Sequence, residues 1–157
     1  MCIRDSSSAA AMARWNPQAR PVPAPARQVA LGAAGDGTEL VILDPGSPTQ
    51  FGLRRSALEA LARDLSWIAP WRDAEVGRGL ADGAADEDVV AAVRVSPEDP
   101  GATLQGAEVR VTIVLREMLD AAALSRLLAR MQERWRSDET VTRRVDSLAV
   151  RVEAPPA

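Results

Sequence analysis

The sequence predicts an α+β fold: a four-stranded, mostly antiparallel sheet carrying two helices on one face, in the chain order βαββαβ. Three observations predict it. Val109, Val111, Ile113 and Leu115 alternate with Glu108, Arg110 and Thr112, the pattern of a half-buried strand. Leu58, Leu61, Leu65 and Ile68, and later Leu124, Leu127, Leu128, Met131 and Trp135, recur at helical spacing and mark two amphipathic helices. Short apolar runs, Leu40 to Leu43 and Leu148 to Val152, open and close the region.

The elements follow in order. Met1-Cys2-Ile3-Arg4-Asp5-Ser6 resembles the translated end of a transposase sequencing adapter, and residues 1–6 are expected to be a scar rather than native chain. Its only cysteine, Cys2, lies there. The native start is then Met12, which would give a cytoplasmic domain, or it lies upstream, where a lost apolar segment would supply a membrane tether. The compartment stays open. Residues 7–37 read as a disordered tail rich in Pro, Ala and Gly, with Pro17, Pro21, Pro23 and Pro25 favouring extended backbone.

A single α+β domain is expected over 38–153, with a short tail over 154–157. Glu39 to Leu43 reads as a buried strand closed by the turn Asp44-Pro45-Gly46. Ser47 offers a cap, and Ser56 to Glu59 a capping box for the first helix. Pro70 ends that helix near Trp67. Residues 72–88, acidic and glycine-rich, read as a loop. Val89 to Val95 is the second strand, Glu108 to Leu115 the third. Asp120 caps the second helix. Leu148, Val150 and Val152 form the inner face of the last strand. This order is ferredoxin-like.

Composition excludes several chemistries. The chain of 157 residues has a net charge of −3, no His and one Cys. Catalysis through a Ser-His-Asp or Cys-His set, zinc hydrolysis and haem ligation all need residues that are missing. No cofactor and no metal is expected, and a catalytic role is disfavoured. The mild acidity disfavours nucleic-acid binding. All 19 basic residues are Arg and Ala is abundant, as GC-rich bacterial codons dictate, so arginine richness alone does not signal phosphate recognition.

Five features remain as candidate sites. Asp44 ends a strand, where a ligand-binding carboxylate often sits, and would carry a magnesium-dependent enzyme; as a turn initiator it needs no ligand. The acidic loop Asp82 to Asp88 lacks the order of a calcium loop and reads as solvated. Gly32, Gly35 and Gly37 precede a strand rather than follow one, the wrong place for a phosphate cradle. Arg94, Arg110 and Arg151 fall on the outer face of three strands and could hold an anion or an RNA backbone, with Glu39 and Glu108 as neutralising partners. Trp67, Trp71 and Trp135 lie near helix ends, as core caps or as an interface.

The expected role is a non-catalytic assembly or protein-interaction domain, a scaffold component of a larger bacterial machine, acting through self-association or a protein partner. The alternatives are a ligand- or nucleic-acid-binding module on the open sheet face, and a metal-dependent enzyme using Asp44. In element order the chain resembles periplasmic scaffold domains of type II secretion and type IV pilus machines, small-molecule regulatory modules and some phage tail components. No residue is carried over from them, and fold alone assigns no function.

Overall fold

A computed structural model describes residues 2–155, the side chain of Cys2 excepted. Met1 of the adapter-like run, and Pro156 and Ala157 of the expected C-terminal tail, lie outside the described residues. The strands are β1 (Cys2–Asp5), β2 (Leu40–Leu43), β3 (Phe51–Arg54), β4 (Val90–Pro97), β5 (Val109–Leu115) and β6 (Leu148–Glu153). The helices are α1 (Ala9–Trp15), α2 (Ala26–Gly35), α3 (Arg55–Ala62), α4 (Ala74–Asp82), α5 (Ala121–Ser137) and α6 (Glu139–Arg144), with a 3-10 turn at Pro70–Arg72.

The single four-stranded ferredoxin-like sheet is not what forms. Two separate three-stranded mixed sheets do, ordered β1-β2-β3 and β4-β5-β6. The chain divides into two compact units accordingly. One runs to Trp67 and takes in Asp99–Gln105; the other is Ile68–Glu98 with the chain from Gly106 onward. The reason is strand pairing. The strand expected to join the main sheet, now β2, pairs in parallel with β1 and antiparallel with β3. β3 was hidden in the sequence because Ser47 and Ser56 read as helix caps.

In the first unit, Ile3, Val41 and Leu53 form one cross-strand row. That row packs with Ala30 and Ala33 of α2 and with Leu58 and Ala62 of α3. The segment 7–37, read from composition as a disordered tail, holds α1 and α2. Alanine is the best helix former, and the prolines are confined to residues 17–25 between the two helices. Gly37, at φ +63°, lies just past the end of α2, a place where glycine meets no steric penalty; the glycines there end a helix. α3 stops at Ala62, and Asp64 turns left-handed at φ +56°. Leu65 and Ile68, expected on the buried stripe, are therefore exposed.

In the second unit β5 is the central strand, antiparallel to β4 and parallel to β6. Val109, Val111, Ile113 and Leu115 point into a core with Val76 and Leu80 of α4, Leu127, Met131 and Trp135 of α5, and Val141 of α6. The β5, α5 and β6 expectations hold within a residue or two. Asp120 caps α5, its carboxylate accepting from the Ala123 N–H at 2.7 Å. The segment 72–88 is not only a loop: it contains α4, capped by Asp73, whose side chain accepts from the Glu75 N–H.

Glycine masks α4 in the sequence for a packing reason. A Cβ on Gly83 would lie 2.2 Å from Trp135 Nε1, and one on Gly79 2.7 Å from an Asp138 carboxylate oxygen. The missing side chains let Trp135 lie against the end of α4 and donate from Nε1 to the Leu80 carbonyl at 2.9 Å. Gly77, in contrast, faces open space. Gly83→Ala is expected to lower stability by about 1–3 kcal/mol through overpacking. Gly77→Ala is expected to raise it by about 0.5–1 kcal/mol through helix propensity. Chemical denaturation of the two variants measures both, and equal effects would contradict this packing.

Candidate functional site

Asp44 follows β2 at φ +48°, one of four non-glycine residues with positive φ among the described residues. Its carboxylate is buried, with the residue 6 % exposed. The Ser7 N–H donates to one oxygen at 2.8 Å, the Ser7 hydroxyl to the other at 2.7 Å, and the Thr49 hydroxyl to the latter at 3.1 Å. The Ser7 hydroxyl, then the Ser7 backbone, hold the carboxyl below its ordinary range. Its own N–H donates to the Asp5 carbonyl at 3.0 Å. Asp44 is thus both the turn initiator the sequence suggests and a long-range acceptor. Its oxygens are engaged by three donors, and no group of three His, Cys, Asp or Glu among the described residues is placed to hold a metal.

A second carboxylate closes the far side of the same sheet. Burial pushes the Asp99 carboxyl up, but donors from Thr103, Leu104 and Arg54 outweigh it and hold the group below its ordinary value. The Thr103 hydroxyl donates at 2.9 Å, the Leu104 N–H at 2.7 Å and Arg54 at 3.3 Å. This folds Asp99–Gln105 against β3. The Gly52 N–H donates to the Ala102 carbonyl at 2.7 Å, and Leu104 fills the space a Cβ on Gly52 would need.

The acidic loop is a clip. Glu87, buried, receives Arg130 Nε at 2.9 Å and the Arg130 terminal nitrogen at 2.6 Å on its two oxygens, a bidentate pair. Arg134 adds a bond at 3.2 Å, donates to the Gly83 carbonyl at 3.0 Å, and lies 3.5 Å from Asp86. The Arg130 guanidinium, more than any other neighbour, holds the Glu87 carboxyl down. The basic residues that flank the α5 stripe therefore fasten the loop 83–88. A groove of about 530 Å³ runs beside it, lined by Ala84, Ala85, Asp88, Ala92 and Arg116.

The three arginines do share a face. Arg94, Thr112 and Arg151 stand in one cross-strand row, and Arg110 lies two residues from Thr112 on β5. Arg94 is paired with Glu153 and Arg110 with Glu98. Arg151 is exposed, and its charge, with that of Arg110, helps hold the Glu98 carboxyl down. The glutamates paired with Arg94 and Arg110 are thus Glu153 and Glu98. Glu39 lies in the first unit. Glu108 is buried and accepts from the Asp146 N–H at 2.7 Å.

The tryptophans separate. Trp135 is 3 % exposed and belongs to the core. Trp71, in the 3-10 turn, is half-buried against that core. Trp67 is 44 % exposed and donates to the Ser56 hydroxyl at 3.2 Å. Trp67 belongs to the first unit, Trp71 and Trp135 to the second.

Residues 7–60 match the family model of the SseB protein N-terminal domain. The matched 54 of 157 residues hold Ser7, Asp44 and Thr49, and so all the side chains of the Asp44 cluster. The similarity fits a non-catalytic domain of a bacterial protein. No curated protein matches the chain, and no solved structure does. Asp99, Arg54 and Glu87 were missed by sequence reasoning. Their partners are separated by 43 to 47 residues, or lie within a loop whose course is not periodic.

Glu87 sets a pH dependence. Its folded carboxyl titrates below the ordinary value of 4.5, so its stabilisation is complete above that pH and is lost as pH falls through the folded value. Glu87→Gln is expected to cost about 1–2 kcal/mol at neutral pH, discounted for the half-exposed Arg130, and to flatten the acid branch of the stability curve. Urea unfolding from neutral pH to pH 3 measures it; an unchanged acid branch would contradict the clip.

Proposed function

We propose that this chain is a non-catalytic interaction domain that builds assemblies with copies of itself or with a protein partner, as a scaffold component of a bacterial machine. One observation carries the reading: among the described residues, β4 and β6 of the second sheet each have a strand neighbour on one side only. An unpaired strand edge offers a row of backbone donors and acceptors to another chain. Two copies meeting at such edges around a twofold axis is the commonest form of self-association. The similarity to the SseB protein N-terminal domain is compatible with this role. So is the state of the carboxylates. Asp44, Asp73, Glu87, Glu98 and Asp99 are all shifted downward by structural partners, whereas a general acid at neutral pH is tuned upward.

Sedimentation velocity of the full chain across the micromolar range tests this. A reversible, concentration-dependent dimer or higher species is the expected result. A monomer at every concentration would remove self-association.

A second reading rests on the row Arg94, Thr112 and Arg151. Two of the three arginines on that face are neutralised by glutamates, which leaves Arg151 as the cation on offer to an anionic ligand. Binding of a labelled single-stranded RNA, followed by fluorescence anisotropy, would then weaken steeply with salt and fall about tenfold in Arg151→Glu. Equal binding by both proteins would exclude this face.

A further inference from the structure

We propose that the free edge of β6 is where two copies of this chain meet, antiparallel about a twofold axis at Val152, with Arg151 of each copy facing Glu153 of the other. The inference rests on the assembly reading and gives it an edge, a partner and a register.

Backbone direction selects the edge. In the second sheet the Val109 N–H donates to the Ser147 carbonyl. Alternation along a parallel ladder then turns the backbone groups of Ala149, Arg151 and Glu153 toward β5, and those of Leu148, Val150 and Val152 away from it. On β4 the Glu98 N–H donates to the Glu108 carbonyl, so Arg94 and Ser96 address β5 while Val93, Val95 and Pro97 address the outside. That edge is blunted twice. Pro97 has no N–H to offer, and the register shifts between Val90 and Ala92. β6 carries neither device from Leu148 to Glu153. Ala154 precedes Pro155, which favours extended backbone and lets the edge run one residue past the strand.

Charge selects the partner and the register. Residues opposed across an antiparallel pair share a face, so the axis must pass through a residue. At Arg151 or Glu153 it would set like charges face to face, which is destabilising. At Leu148, Ala149 or Val150 neither charge of the strand meets the other. At Val152 each Arg151 faces Glu153 of the second copy, twice per dimer, in the pair type whose side chains lie closer. Glu153 already holds Arg94 of its own copy, and a carboxylate has acceptor sites for a second guanidinium. On the inner face, Val150 and Val152 are only partly buried against the core. The same register covers them with Ala154 and Val152 of the second copy.

Sedimentation velocity of the full chain tests this with Arg151→Glu and Glu153→Arg, each alone and then mixed. Alone, either variant puts two like-charge pairs into the dimer and is expected to weaken self-association by about tenfold. The equimolar mixture restores opposite charges at both pairs and is expected to associate within about threefold of the parent. Should either variant lose cooperative thermal unfolding, Ala154→Pro decides. It removes an exposed N–H that faces Val150 of the second copy, and is expected to weaken the dimer by about tenfold. A parent dimer matched by both charge variants, a mixture that stays weak, or an unaffected Ala154→Pro would overturn this edge and register while leaving self-association standing. A parent that is monomeric at every concentration would overturn the assembly reading and this proposal with it.

Discussion

Buried carboxylates need donors, and in this chain the backbone and hydroxyl groups of loops and the guanidinium groups of a helix supply them. A carboxylate removed from water without partners is costly, so each buried one must be met. Asp44 meets Ser7 and Thr49, Asp99 meets Thr103 and Leu104, and Glu108 meets Asp146. Glu87 does the same for two guanidinium groups of α5. The two sheets are short, and each depends on a loop that one of these carboxylates holds closed. A carboxylate with its lone pairs engaged by structural donors is stabilised as the anion and is poorly placed to take up or release a proton near neutrality.

Close packing around glycine is the second layer. Gly83 admits the Trp135 ring, Gly79 sits against Asp138 and Val141, and Gly52 makes room for Leu104. In each case the space a side chain would fill is occupied by a neighbour from a distant part of the chain. Cores packed at this density leave little slack for added methyl groups.

These two layers decide what the sequence could reveal. β5, α5 and β6 were legible because their periodicity is local and their apolar faces are long. The shared face of Arg94, Arg110 and Arg151 was legible for the same reason, since alternation in a strand fixes which side a residue takes. α4 was hidden because its glycines look like loop residues until Trp135 is in place. β3 was hidden because a four-residue strand beginning Phe51-Gly52 carries almost no pattern. The division into two sheets was illegible because it depends on which strand β2 pairs with, and the pairing with β1 is fastened by a bond that a serine 37 residues away donates to Asp44. Arg94 and Arg110 were seen, but their partners Glu153 and Glu98 follow from register rather than from composition.

The central claim is that the buried carboxylates are structural acceptors held as anions. Carbon-13 NMR titration of the side-chain carboxyls of Asp44, Glu87 and Asp99 in the folded chain tests it most directly. The account predicts that all three titrate below the ordinary values of 3.8 for Asp and 4.5 for Glu. A carboxyl among them that titrates well above its ordinary value would contradict the account and mark that residue as a candidate acid for chemistry.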